Sequence, residues 1–345
     1  MPIPGNMRFL TLLPPLLMWM LTLIVPAHAD APLAVIKTVI SVVGPHNLNY
    51  LPIDLVPLIG ADREEGLEVL LKHVEGGGPA IKEMVSRNSD FTAVGFPALM
   101  SLKANGGELV GVAALSDATH IALIVRKSLE GEVHRISDLK GRIVGVPTSA
   151  VNAKTLSQQV IEMLLQADGL QPRDARVIST GQDWTRRAKL LESGQVDAIV
   201  AEEPFASWML QQDKVFFLLN LADPTPKQPI VGAGVLHAAL ATRPDVIANE
   251  PEKVKRLVRA VQRSLRWIAE HSPEELVERL AITQPEQREP LLLCLKKYPR
   301  LFSRDGAFSN HQIEETNRFF HTSTPDASSI RMEELINDQW AGRKE

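Results

Sequence analysis

The residues of this chain that could do chemistry sit just after short apolar runs. In chain order they are Gly44-Pro-His-Asn-Leu-Asn-Tyr50, Glu75-Gly-Gly-Gly-Pro79, Gly95-Phe-Pro-Ala98, Ser116-Asp-Ala-Thr-His120, Pro147-Thr-Ser-Ala-Val-Asn152, Gly181-Gln-Asp-Trp184 and Glu202-Glu-Pro204. Bond-making chemistry finds little support among them. Glu202 and Glu203 come nearest to a carboxylate pair, but neighbours on a strand point to opposite faces and cannot flank one bond. One can face a cleft while the other meets a structural partner. Ser149 lies in no G-x-S-x-G frame, and Gly76–Gly78 lacks the G-K-[ST] ending of a nucleotide phosphate loop. His46, His120 and His237 show no H-x-x-x-H or H-E-x-x-H spacing, so neither a metal nor a cofactor is expected. Cys294, inside Leu291-Leu-Leu-Cys-Leu295, reads as a small core residue rather than a nucleophile.

These stretches are better suited to binding. Several run straight into helices, whose first N–H groups have no partner inside the helix and can meet an accepting ligand. Gly76–Gly78 lets a backbone approach closely, and Thr148 and Ser149 add hydroxyl donors at a helix start. The same glycines and serine also serve as ordinary turn and cap residues.

The elements that must position these loops alternate. Strands are expected at Val35–Val43, Leu67–Val74, Phe91–Gly95, Val110–Leu115, His120–Val125, Arg142–Val146, Ala175–Thr180, Ala198–Ala201, Val215–Leu219 and Gly234–Ala241. Helices fall between them at about Leu51–Leu58, Pro79–Arg87, Pro97–Asn105, Val151–Asp168, Trp184–Ser193 and Phe205–Gln212. This is the pattern of βαβ units and mostly parallel sheet, in two α/β units split near residue 122. In such sheets ligands bind outside the carboxyl ends of the strands, where the loops named above begin. From about residue 250 the pattern is helical with no strand expected. Val254, Leu257, Val258, Val261, Leu265 and Ile268 form one apolar stripe, and the Arg/Lys run of Lys253–Arg266 is its solvated face. Ser272-Pro-Glu-Glu275 and Ser309-Asn-His-Gln312 read as helix starts. Asp223-Pro-Thr-Pro-Lys-Gln-Pro229 is linker-like.

The whole chain has 345 residues, 45% apolar and 23% charged, which is globular composition and long enough for about two domains. With 37 Lys+Arg against 41 Asp+Glu the net charge is −4, which offers no footprint for nucleic acid. A single cysteine excludes an internal disulfide. The first thirty residues stand apart. Arg8, the apolar run Phe9–Val25 and Ala27-His28-Ala29 are the three parts of a secretory signal peptide, cleaved near Ala29. An uncleaved anchor is the alternative, which Pro14, Pro15 and the lack of basic stop-transfer residues oppose. The mature protein is expected to be soluble and periplasmic.

Three segments carry a resemblance: Ile136-Ser-Asp-Leu-Lys-Gly-Arg-Ile-Val-Gly-Val-Pro147, Leu191-Glu-Ser-Gly-Gln-Val-Asp-Ala-Ile199 with Glu203-Pro204, and Asn249-Glu-Pro-Glu-Lys-Val254. They resemble the nitrate/sulfonate/bicarbonate and thiamine-precursor family of ABC-transporter substrate-binding proteins, as does Met84-Val-Ser-Arg-Asn-Ser-Asp-Phe-Thr-Ala-Val-Gly95. The resemblance implies an α/β, type II periplasmic-binding fold: two lobes joined by two crossing strands, with a helical C-terminal extension. Lobe 1 would be 34–122 plus 237–340, lobe 2 would be 123–236, and 1–29 the signal peptide. The crossings would fall near His120–Val125 and Val235–Ala241. The protein would be a monomer that takes a small ligand between its lobes and delivers it to an inner-membrane ABC permease, without enzymatic turnover.

By the same resemblance, the ligand site is drawn from His46, Asn47, Gly77, Phe96 and Thr119 of lobe 1 and Thr148, Ser149 and Glu203 of lobe 2. Asp117 and Trp184 join them on the chemistry of the loops. The loops contain no Arg or Lys, and hold Asp117, Asp183, Glu202 and Glu203 together with His46, Tyr50, Phe96 and Trp184. That mixture suits a neutral or cationic heteroaromatic and leans toward a small organic ligand over an inorganic anion, with an organic sulfonate, a pyrimidine-like molecule and a small oxyanion as the open classes. Two-lobed relatives include a pyrimidine-forming enzyme and a pyrrole-polymerising deaminase. An enzyme would show turnover or a modified histidine, and the deaminase needs a cofactor cysteine on a cleft loop, unlike Cys294. A ligand-presenting sensory module is a further alternative.

Overall fold

The computed structural model describes residues 1–2, 34–147, 155–222, 232–323 and 329–345. The apolar N-terminal run, Thr148, Ser149 and the Pro-rich stretch 223–229 lie outside the described residues. The chain divides into a short N-terminal unit, Met1–Ala34, and a body, Val35–Glu345.

The body is built on two five-stranded sheets. The first contains β1 (Ile36–Val43), β2 (Leu67–Val74), β3 (Phe91–Gly95) and β4 (Val110–Ala114). The second contains β5 (Ile121–Arg126), β6 (Ile143–Val146), β7 (Arg176–Ser179), β8 (Ala198–Glu202) and β9 (Val215–Asn220), and the chain then returns to the first with β10 (Ala238–Thr242). The orders are β2-β1-β3-β10-β4 and β7-β6-β8-β5-β9. β3, in the middle of its sheet, is buried on both faces through Val94, whereas β2 at the edge alternates buried and exposed from Leu67 to Leu70. That difference is what apolar runs and alternating runs encode.

Each sheet is parallel apart from one strand. β10 runs antiparallel to β3 and β4, with Leu240 opposite Ala93, and β5 runs antiparallel to β8 and β9. The connectivity explains the direction. The chain leaves the first sheet at the carboxyl end of β4 and enters the second from that same side, so β5 must run away from the side on which the parallel strands end. β10 repeats this on the return. The carboxyl ends of both sheets are thereby turned toward the two crossings. This is the type II periplasmic-binding arrangement of two α/β lobes.

A helical C-terminal extension completes the body. The helix Pro251–Glu270 carries Pro251 in its first turn and buries Val254, Leu257, Val258, Val261 and Leu265 against the same core as the helix Leu51–Leu58. Ser272 and Glu275 form a reciprocal cap that starts the helix Pro273–Arg279. The helix start read at Ser309-Asn-His-Gln312 holds, while the expectation of no strand in this region fails. Ser309 ends a two-residue strand, Phe308–Ser309, paired in parallel with Arg343–Lys344, and the next helix begins at Asn310. So short a pairing between segments distant in sequence leaves no periodic signal.

Candidate functional site

The site is assembled from loops at the carboxyl ends of both sheets. From the first sheet, the loop after β1 carries His46 at φ 62, a left-handed conformation. Its amide donates to Asp54 Oδ2 at 3.0 Å, while His73 Nε2 meets Asp54 Oδ1 at 2.9 Å. One buried carboxylate thus fixes the loop to β2. Asn47 caps the short turn Leu48–Tyr50 by accepting from the Asn49 amide at 3.0 Å. The turn delivers Tyr50, 6% exposed, whose phenol is hydrogen-bonded by the Gly95 backbone at the end of β3.

From the second sheet comes Glu202, the last residue of β8. Its charge raises Tyr50, so a carboxylate of lobe 2 and a phenol of lobe 1 lie within electrostatic reach of each other. Burial pushes Tyr50 up, reinforced by Glu202 and opposed by the Gly95 hydrogen bond. Burial also raises Glu202, opposed by the Arg187 charge and a hydrogen bond from Ser157. Arg187 is itself 3% exposed. Its Nη2 donates to the Gln182 carbonyl at 3.2 Å, its guanidinium lies 4.1 Å from the Phe205 ring centroid, and its Nε has no partner. Burial pulls Arg187 down to about 10, with Glu202 and Asp183 opposing. The cleft end of lobe 2 therefore holds an acceptor with a counter-charge beneath it.

Glu203 plays a different part from its neighbour. It is 4% exposed, and its two oxygens accept from the Ser207 amide and hydroxyl, both at 2.9 Å, at the start of the helix Phe205–Gln211. Strand geometry sends these side chains to opposite sides. Glu203 takes the structural partner, while Glu202 meets Arg187 and Ser157.

Several other expected site residues are also committed elsewhere. Phe96 is fully buried in the lobe 1 core and offers no ring face to a ligand. Thr119, also fully buried, donates to the Gly232 and Val235 carbonyls at 2.9 and 3.2 Å, tying the two crossings together. Asp117 pairs with Lys344 at 3.4 Å, and burial raises it, opposed by Lys344. Trp184 packs on Phe205 and Trp208, each at 5.6 Å between centroids. Gly77 opens the helix Gly77–Val85, and a Cβ there would meet nothing within 4 Å, so the protein demands no close backbone approach at that position.

Asn49 Oδ1 lies 2.9 Å from His120 Nδ1, and His120 Nε2 lies 3.2 Å from the Leu301 carbonyl oxygen. His237 stacks on His120, and its own Nδ1 has no partner. No group of His, Cys, Asp and Glu capable of holding a metal occurs among the described residues. Sequence reasoning missed Arg187, because Trp184-Thr-Arg-Arg187 reads as the solvated start of a helix. It left Tyr50 and Glu202 out of the expected site, although both stand at the strand-end positions where a site residue is sought.

Two α/β lobes whose strand ends face each other across two crossings define the periplasmic-binding-protein fold. The chain belongs to the family described as NMT1/THI5 like, whose pattern matches residues 63–275. It is similar to YtlA of Bacillus subtilis (strain 168), a protein named for binding, at 21% identity over 86% of each chain. It is also similar to the 4-amino-5-hydroxymethyl-2-methylpyrimidine phosphate synthase of Legionella pneumophila, at 23% identity over 79% of each. Among solved structures it resembles the alkanesulfonate-binding protein SsuA of Xanthomonas axonopodis pv. citri bound to MOPS. The TM-score is 0.64 at 13% identity, covering 89% of this chain and 99% of that one.

Proposed function

We propose that this protein is an exported solute-binding protein that captures a small organic molecule between its lobes and presents it to an ABC permease. The observation that carries the reading is the fold itself, two sheets whose parallel strands end toward the two crossings, with Tyr50 of lobe 1 and Glu202 of lobe 2 within electrostatic reach of each other there. A ligand seated there touches both lobes, so its affinity is greater for the closed arrangement and it shifts the population toward closure. The ring face and hydroxyl of Tyr50 and the acceptor oxygens of Glu202 suit a molecule with a flat apolar body and N–H donors. Thr148 and Ser149, which follow β6 in the sequence, would add hydroxyl donors from lobe 2. Arg187, sealed beneath Glu202, serves as its counter-charge and makes no direct contact with the ligand. Export is supported by Arg8, the apolar run Phe9–Val25 and Ala27-His28-Ala29.

The test is a thermal-shift screen on the purified chain with nitrate, alkanesulfonates, bicarbonate, aminopyrimidines and amino acids. A ligand that binds the native state raises Tm, by about 2.7 kcal/mol of stability at one hundred times its Kd. An aminopyrimidine or other N–H-bearing heterocycle is the expected hit. No response from any class would remove the reading, and a response to nitrate or bicarbonate alone would replace the ligand.

A second reading, enzymatic formation of a pyrimidine, draws on the Legionella relative. It requires product release or a covalent mass change on a histidine. Ligand recovered unaltered from an unmodified protein decides against it.

A further inference from the structure

A hinged clamp must break or slide any contact that joins its lobes away from the crossings. The helix Pro285–Lys297 of the C-terminal extension makes such a contact. Leu291, Cys294, Leu295 and Tyr298 lie in the core shared with β1 and the helix Leu51–Leu58 of lobe 1. Yet the same helix packs on Phe205–Gln211 of lobe 2. At its end, the Tyr298 hydroxyl accepts from Asn220 Nδ2 at 2.7 Å and donates to the Glu203 carboxylate. Lys297 Nζ lies 4.8 Å from the centroid of the Phe217 ring of lobe 2.

A phenol hydroxyl has one proton to give and can accept in return, so these two partners use both of its roles in one orientation. Those partners sit at the ends of two different strands, Asn220 closing β9 and Glu203 following β8. Tyr298 therefore senses where both cleft-side strand ends of lobe 2 stand relative to the extension on lobe 1. Glu203 has no freedom to follow a displaced phenol, since Ser207 holds both of its oxygens. Because Glu203 and Glu202 are consecutive, what holds the first also holds the cleft carboxylate.

We propose that Tyr298 is an interlobe latch: a positioning residue that sets the resting angle between the lobes and places Glu202 through Glu203. The latch does not depend on which molecule the cleft takes. It is tested on the full chain without ligand, with spin labels at Leu70→Cys in β2 and Lys189→Cys in lobe 2, and with the buried Cys294 left unlabelled. Electron–electron distance measurements should give one interlobe distance for the parent. Adding Tyr298→Phe, which keeps the ring and removes only the hydroxyl, should broaden that distribution and shift it. Adding Asn220→Ala, which removes the other partner, should do the same and reads the latch independently if the phenylalanine variant does not fold. Distributions that match the parent while Tm falls would make the contact local packing and overturn the proposal. As no ligand is present, this result is separable from any failure of the ligand screen.

Discussion

The imidazole rings of His120 and His237 stack with centroids 5.6 Å apart and planes 16° from parallel, and each ring belongs to a different crossing between the lobes. Both are buried, His120 fully and His237 to 4% exposure. Thr119, next to His120, ties its crossing to the Gly232 and Val235 carbonyls of the other. The hinge is therefore a pair of strands stapled by side chains, with no disulfide available to stiffen it.

This pair predicts an acid-sensitive fold. Burial pulls His120 down to about 4, opposed by the Leu301 hydrogen bond, and pulls His237 down to about 3, with the His120 charge acting in the same direction. A base that is harder to protonate in the fold than in the open chain leaves stability intact above the unfolded value of about 6.5 and erodes it as pH falls toward 4. His120 alone accounts for about 3 kcal/mol across that window, at about 1.4 kcal/mol per unit. The raised carboxyls Asp117, Glu202 and Glu203 act in the opposite sense, so total acid sensitivity is not diagnostic. The comparison that isolates the pair is His237→Phe, which keeps a stacked ring without a titrating nitrogen. Thermal unfolding between pH 4.5 and 8 should show a flatter acid limb in the variant. Parallel limbs would remove His237 as a cause.

The adjacent glutamates should separate cleanly. Glu203→Ala leaves Ser207 and Tyr298 without a buried acceptor and should cost about 1–3 kcal/mol in denaturant unfolding. Glu202→Gln removes the counter-charge of the buried Arg187 and should also lower stability, but it alone of the two should weaken the ligand found by the screen about tenfold or more in calorimetric titration. Equal effects of the two on affinity would contradict the division of labour.

Thr119 should behave as a hinge residue and not as a ligand donor. Thr119→Val, which keeps the shape and removes the hydroxyl, should lower stability by about 1 kcal/mol and leave two backbone carbonyls without that donor. Thr119→Ser should recover most of the loss. A ligand Kd that worsens in Thr119→Val with stability unchanged would place the hydroxyl in the cleft instead.

Asp54 is expected to hold the first cleft loop. Its carboxylate accepts from the His46 amide and meets His73 Nε2 while 5% exposed, so Asp54→Ala should cost about 1–3 kcal/mol. Hydrogen exchange should rise at residues 44–50 ahead of the rest of lobe 1. Unchanged protection of that loop would show that the turn Leu48–Tyr50 holds itself.

The elements of this protein were legible because their signals are local. The bounds of β2, β3 and the helix Leu51–Leu58 agree with their apolar patterns to the residue, and the Ser272–Glu275 cap forms where its spacing places it. Alternation of β and α segments, read with the family resemblance, implied two lobes and placed the chemistry at strand ends. Which strand-end residue faces the cleft was a different matter. Phe96, Thr119 and Glu203 stand where site residues are sought, yet the core, the second crossing and Ser207 claim them. Each of those partners is set by packing or chain reversal, except Ser207, whose claim depends on where the helix after β8 begins. Arg187 is the converse case: a charge that the local pattern assigns to solvent is buried beside Glu202, which ends β8, and Phe205, which opens the next helix. Periodicity reports which face of an element is apolar. It carries no record of what the neighbouring element brings to that face, and the site is made of those meetings.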